Sequence, residues 1–113
     1  MELNQAVPEL PVSDVEKAQE YYRDHFDCKI EWLYPGKEIG AVSNGETAIF
    51  FRKREGEFEP VVNWIYCSDV DESYRVLKTA GANITEDIED KPWGVRQFTV
   101  QDLDGNVFYF HHS

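Results

Sequence analysis

The sequence predicts an α+β fold, in which two copies of a βαβββ module place curved mixed sheets around a shared cleft. The tripeptide Ser-Asp-Val occurs at 13–15 and again 55 positions later (68 minus 13), and each copy opens a segment with helical periodicity. The dipeptides Asn44-Gly45 and Asp104-Gly105 favour hairpin turns, and each precedes an apolar, strand-like run. These two repeated signals indicate an internal duplication.

Each module is expected to consist of a strand, a helix and three further strands. Ser13 with Glu16 forms a capping-box pattern, Ser68 with Asp71 forms a weaker one, and Gly81 is expected to end the second helix. The strand-like segments are LNQAVPELPV, CKIEWLY, KEIGAVS and ETAIFFRK in the first module, then VVNWIYC, ANITEDI, GVRQFTVQ and NVFYFHH in the second. The cap-to-turn distance is 31 residues in the first module (44 minus 13) and 36 in the second (104 minus 68), and we expect the additional residues in the loop EDIEDKPWG.

We predict a single domain over residues 1–113, with modules at 1–54 and 60–113. One helix covers only one face of its sheet, so the other face must line a cleft, contact a partner subunit, or both. This predicts a homodimer, and whether strands are exchanged between subunits stays open.

The composition restricts the classes of partner. The chain has 22 acidic and 11 basic residues and a net charge of −11, which would repel nucleic acid and attract a cationic small molecule, although acidity for solubility alone is the alternative. Cys28 and Cys67 are too few and too far apart for a disulfide framework or a metal pair. No apolar run approaches the length of a membrane span and no leader pattern is evident, so a cytoplasmic protein without a membrane partner is expected.

Three segments together resemble a known superfamily. The pattern LPVSDVEKAQEYYRDHF, the duplicated βαβββ organisation, and PWGVRQFTVQDLDGNVFYF are similar to the glyoxalase, bleomycin-resistance and extradiol-dioxygenase group, the vicinal oxygen chelate superfamily. The resemblance covers nearly the whole chain and implies the same fold.

The resemblance also implies where metal ligands would lie. In metal enzymes of this group, a His or Gln stands seven residues before the Asp that opens each helix, and a Glu stands about four residues after the turn glycine. The corresponding residues here are Val7, Phe50, Val62 and Tyr109, which donate nothing suitable to a divalent metal. We therefore expect no metal, no cofactor and no catalytic residues. The chain also has no glycine-rich phosphate loop and no G-x-S-x-G motif.

An alternative is a metal-dependent lyase, isomerase or dioxygenase of the same superfamily with shifted ligands. Glu9 and His111 are the candidates for such a displaced site. The simpler interpretation is that His111 and His112 form the polar end of a strand in contact with solvent. His25, at the end of the first predicted helix, is expected to interact with the helix dipole and not to act as a base.

Aromatic residues dominate the predicted cleft. The resemblance to bleomycin-resistance proteins implies a metal-free, drug-sequestering protein of the antibiotic-resistance type, which stacks a planar ligand, neutral or cationic, in a groove between two subunits; bleomycin is the named ligand it suggests. The predicted ligand-binding residues are Trp32, Phe50, Trp64, Tyr66, Trp93, Tyr109 and His111. The alternative is a dimeric interaction module without a ligand, in which these aromatic side chains only fill the interface or the core.

Overall fold

The computed structural model describes residues 1–112, which form eight strands and two helices. The first module contains β1 (Glu9–Val12), α1 (Val15–His25), β2 (Lys29–Leu33), β3 (Ile39–Asn44) and β4 (Thr47–Lys53). The second contains β5 (Val62–Tyr66), α2 (Val70–Thr79), β6 (Asn83–Asp90), β7 (Arg96–Gln101) and β8 (Val107–His112). Within these residues, neither helix is long and apolar enough to cross a membrane.

The two modules have the same strand order. The first sheet is ordered β1-β4-β3-β2 and the second β5-β8-β7-β6. In each sheet the first strand of the module runs parallel to the last, and the other neighbours are antiparallel. The predicted α+β class and the duplication of the βαβββ module are confirmed.

The helices begin one residue later than the capping-box pattern predicts. The N-cap residues are Asp14 and Asp69, whose carboxylates accept hydrogen bonds from the backbone N–H of Lys17 and Glu72. A carboxylate satisfies an otherwise unpaired N–H and also suits the positive end of the helix dipole. The predicted serine caps were therefore wrong. Gly81 follows the last turn of α2 with φ +80°, as predicted for a residue that ends a helix.

Two strand boundaries also differ from the prediction. Only residues 9–12 of the predicted first strand pair with β4, so β1 is much shorter than LNQAVPELPV. In the second module, the predicted strand ANITEDI ends at residue 88 and the predicted loop begins at residue 86, but β6 continues to Asp90, and its pairing with β7 shifts register on both sides of Glu86. These irregularities accommodate extra residues inside the strand, as β-bulges do.

The helix-facing sides of both sheets share one hydrophobic core. Tyr22 of α1 and the C-cap residue Phe26 lie over Phe51 of the first sheet and over Phe108 and Phe110 of the second, with ring centroids 4.9 Å apart for Tyr22–Phe51 and 5.8 Å for Phe26–Phe108. Because this core lies between the sheets, the opposite side of each sheet faces away from it. We call these two outward sides the open faces.

The turn between β7 and β8, residues 102–106, joins the modules. The Asn106 side chain is fully buried and donates to the Pro11 carbonyl oxygen at 3.0 Å, while its Oδ1 accepts from the Val61 N–H at 3.0 Å. Tyr22 donates its hydroxyl proton to the Asp102 carboxylate. Gly105 adopts φ +87°, as the predicted Asp-Gly turn requires. The D-x-D-G-N motif therefore holds the second module against the first.

Candidate functional site

The open face of the second sheet carries a cluster of exposed aromatic side chains. Along β5 the side chains alternate, so that Ile65 packs against the core while Trp64 and Tyr66 point outward. Trp64 is 54% exposed and Tyr66 63% exposed, which is unusual for such large rings. This face offers an apolar surface that the chain itself does not cover.

Cross-strand pairing between β5 and β8 brings the other members of the cluster together. Trp64 lies opposite Tyr109 in the parallel register, and their ring centroids are 4.6 Å apart. The His111 ring lies next to both indole and phenol, 5.4 Å from Trp64 and 5.7 Å from Tyr66. Four of the seven predicted ligand-binding residues therefore form one contiguous surface, the second-sheet aromatic cluster.

Trp93 and a lysine extend this face at the turn between β6 and β7. Trp93 is 62% exposed, and the Lys91 ammonium lies 5.7 Å from its ring centroid. Lys91 also donates to Glu89, and this hydrogen bond is the main cause that raises the pKa of the ammonium. Lys91 was missed by sequence reasoning, because only the turn geometry carries its ammonium to the aromatic ring.

Two buried polar atoms lie beside the aromatic cluster without a hydrogen-bond partner in residues 1–112. They are Oε1 of Gln97 and Nδ1 of His111, and these two residues are directly paired across β7 and β8. On the same sheet Thr99 donates to Glu86 at 2.7 Å, so the neighbouring polar groups are satisfied. Unsatisfied buried groups are rare and often mark functional positions. Gln97 was not predicted, since its place beside His111 follows only from the strand register.

The remaining two predicted residues lie on the first sheet. Trp32 is 41% exposed, and its ring centroid is 5.2 Å from that of Phe50. No ring of this pair contacts a ring of the second-sheet cluster within the part of the chain that the structure describes. In a single chain the seven residues are therefore divided between two surfaces.

Metal enzymes of the superfamily bind their metal at four positions. The residues that this chain has at those positions do not fit a metal. Phe50 packs against Trp32 and Tyr109 against Trp64, Val62 pairs with Val107, and Val7 lies outside β1. Hydrocarbon side chains donate nothing to a divalent metal, and a neutral phenol packed against an indole is not among its usual ligands.

The two candidates for a displaced metal site lie on different sheets of one chain. Glu9 accepts from Arg52 at 2.8 Å on the first sheet, whereas His111 lies on the second. Residues 1–112 contain no group of three or more His, Cys, Asp or Glu side chains arranged to hold a metal ion. His25 lies at the end of α1 as expected, and its Nδ1 also forms a hydrogen bond with the Ala80 carbonyl oxygen at 2.7 Å.

These features define a class: small α+β proteins with a duplicated βαβββ module and outward-facing, aromatic sheet surfaces. The family model described as "Glyoxalase/Bleomycin resistance protein/Dioxygenase superfamily" matches residues 3–110. The chain belongs to this superfamily.

Solved structures show the same fold. TioX from Micromonospora sp. ML1 is 26% identical, with 96% of this chain and 98% of that chain covered and a TM-score of 0.84. A bleomycin resistance determinant encoded on transposon Tn5 is 20% identical, with 98% of each chain covered and a TM-score of 0.85. The bleomycin-binding protein from bleomycin-producing Streptomyces verticillus, complexed with copper(II)-bleomycin, is 20% identical over 97% of this chain and 96% of that chain, with a TM-score of 0.81. No curated protein matches the chain in sequence.

Proposed function

We propose that this protein is a metal-free small-molecule binding protein of the drug-sequestering type. The observation that carries the proposal is the pair Trp64 and Tyr109, whose rings contact each other at a tilt of 40° with centroids 4.6 Å apart, while the indole is more than half exposed on an open sheet face. Flat aromatic faces bind planar rings well because they offer a large contact area with little conformational entropy to lose. The solved bleomycin-binding structures of the same fold agree with this choice of ligand class.

The proposal includes a homodimer. Each open face carries aromatic residues that a single chain leaves exposed, Trp32 with Phe50 on one and the second-sheet cluster on the other. Pairing the first-sheet face of one subunit with the second-sheet face of its partner would bring all seven predicted residues into one cleft and cover the apolar surface. Sedimentation equilibrium is expected to give twice the chain mass of 13.2 kDa at micromolar concentration.

The unsatisfied atoms of Gln97 and His111 suggest where a ligand's polar group would bind. Oε1 of Gln97 is a hydrogen-bond acceptor, so it suits an N–H or ammonium group of a ligand. The net charge of −11 favours the approach of a cationic ligand, whereas the Lys91 ammonium beside Trp93 disfavours positive charge at that end of the face.

Isothermal titration with bleomycin, proflavine and acridine tests the proposal. Proflavine is a planar cation at neutral pH and acridine is a planar base that is uncharged there, so the pair separates stacking from charge. Replacing Trp64 by Ala is expected to weaken binding by roughly three- to tenfold, the range of one aromatic stacking contact. Tyr34→Ala is the matched control, because Tyr34 is 64% exposed but lies outside the predicted site.

Two outcomes would count against the proposal. Absence of heat with all three compounds, together with indoles that are already shielded from a quencher, would favour the dimeric interaction module. Equal loss of affinity in the Trp64 and Tyr34 variants would place the ligand elsewhere.

A further inference from the structure

A crevice lies between the two modules, and none of the four residues at the superfamily's metal-ligand positions lines it. Its volume is about 390 Å³, within the usual size range of small-molecule sites. The first module contributes the C-terminal end of α1 and the turn between β3 and β4, and the second contributes the end of β5 and the first turns of α2. None of its lining residues is a tryptophan.

The floor of the crevice is apolar. Phe26, Ile49, Leu77 and Phe110 line it, and each belongs to the hydrophobic core shared by the modules. These side chains are at most 8% exposed. A ligand in the crevice would therefore rest its hydrocarbon part on a preformed surface, and release of water from that surface would favour binding.

The polar part of the lining carries charge of one sign only. Asp27, Asp69 and Glu72 are carboxylates, and no lysine, arginine or histidine lines the crevice. None of the three takes part in an ion pair within residues 1–112. The N-terminus of α2, which would otherwise attract an anion, is already occupied by the Asp69 carboxylate.

The two cysteines of the chain also line the crevice, but as neutral groups. Burial raises the pKa of the Cys28 thiol to about 12 and also raises the pKa of Cys67. At neutral pH both are therefore protonated, weakly nucleophilic thiols that add to the apolar surface. The crevice is suited to non-covalent binding.

We infer that this crevice is a second binding site, for a small organic cation with an apolar body such as an aryl- or alkylammonium. The hydrocarbon body packs on Phe26, Ile49 and Phe110, and the ammonium lies among the carboxylates of Asp27, Asp69 and Glu72. This site shares Tyr66 with the second-sheet aromatic cluster, but binding here needs neither the tryptophans nor a partner subunit.

Three ligands with the same ring and different charge test the inference. Benzylammonium, benzyl alcohol and phenylacetate are titrated into ¹⁵N-labelled full-length protein, and amide and indole N–H signals are followed by NMR. Benzylammonium is expected to shift the backbone amides of Thr47 and Ser73, which line the crevice, in a saturable manner. The alcohol should bind more weakly and phenylacetate more weakly still, because only the cation gains from the carboxylates. The three indole signals report separately on the open faces.

Two variants and one control locate the site. Glu72→Gln removes an exposed carboxylate and is expected to weaken benzylammonium binding about two- to fivefold, the range of a single solvent-exposed charge pair. Glu20→Gln makes the same change on the exposed side of α1, outside the crevice, and should leave the affinity unchanged. Val76→Trp places a large ring in the crevice and should lower the affinity about tenfold or more, without changing the indole shifts of the three native tryptophans.

Three outcomes would overturn the inference. Benzylammonium that shifts only the indole signals binds the open faces, and phenylacetate that binds as tightly as benzylammonium contradicts the role of the carboxylates. Equal effects of Glu72→Gln and Glu20→Gln would show that only the overall charge matters. Conversely, if the open faces bind no planar ligand, saturable shifts at Thr47 and Ser73 would still support the crevice.

Discussion

Replacing Asn106 by Ala should destabilise the protein more than any change on its surface. Asn106 is fully buried in the turn between the modules, and its amide donates to the Pro11 carbonyl oxygen at 3.0 Å and to the Asp102 carboxylate at 3.1 Å. Its Oδ1 also accepts from the Val61 N–H at 3.0 Å. An alanine cannot form any of these bonds.

The expected loss is about 3–5 kcal/mol in the free energy of unfolding. The variant leaves the Pro11 carbonyl and the Val61 N–H without partners, and a buried polar group without a partner costs roughly 1–3 kcal/mol. Loss of the hydrogen bond from Asn106 to the Asp102 carboxylate adds to this cost in the free energy of unfolding. Against a typical total of about 5–15 kcal/mol, the loss is a large share of the stability.

Urea unfolding followed by circular dichroism measures this effect. With an m-value of roughly 1–3 kcal/mol per molar urea, the midpoint should fall by about 1–5 M. Both proteins are compared at one concentration, because dimerisation would otherwise change the apparent stability. Asn83→Ala, at an exposed asparagine at the start of β6, is the matched control and should change the free energy by less than about 0.5 kcal/mol. A loss below about 1 kcal/mol for Asn106→Ala would refute the role assigned to the turn.

Three further predictions concern the fold. Burial raises the pKa of the Asp102 carboxyl above its ordinary 3.8, so the native state binds this proton more tightly than the unfolded chain. The contribution of Asp102 to stability should therefore fall as the pH rises from about 4. In urea titrations at increasing pH, the free energy of unfolding of the wild type should decrease relative to that of Asp102→Asn. Gly40→Ala should cost about 1–3 kcal/mol, since its Cβ would lie 2.7 Å from Val15 Cγ1 and 2.9 Å from Gln19 Nε2. Gly81→Ala should lower the thermal midpoint, at a cost of roughly 1–2 kcal/mol for a non-glycine residue at φ +80°.

Each of these has a clear contrary result. A wild-type stability that rises relative to Asp102→Asn as the pH increases would show that hydrogen bonding, not burial, dominates at that carboxyl. Gly40→Ala is compared with Glu46→Ala, an exposed turn residue, and equal stability of the two variants would contradict the close contact of α1 with β3. An unchanged midpoint for Gly81→Ala would mean that the helix end rearranges freely.

Much of the fold follows from signals that are local in the sequence. Helical periodicity after each Ser-Asp-Val, the turn dipeptides, and two-residue alternation along β5 predict the order of elements and the outward direction of Trp64 and Tyr66. These signals are readable because each depends on residues a few positions apart. The duplication was detectable for the same reason, since both copies carry the same local signals.

The helix caps show where local reasoning fails. Ser13 matches a capping box, yet its hydroxyl and backbone N–H both donate to Asp104 of the other module at 3.0 Å. That partner is 91 positions away in the chain, so the choice of Asp14 as the cap could not be read from the neighbouring residues.

The candidate sites depend most on the tertiary structure. The sequence by itself determined which residues are aromatic, acidic or unsuited to a metal, and on which side of a strand they point. Only the packing of both sheets on one core decided that Trp32 and Trp64 lie on separate open faces, because that core turns the two faces away from each other. The register of β7 against β8 placed Gln97 beside His111, and the approach of α2 to the end of α1 formed the acidic crevice. These arrangements join residues distant in the chain, so they are fixed by long-range packing and not by any local pattern.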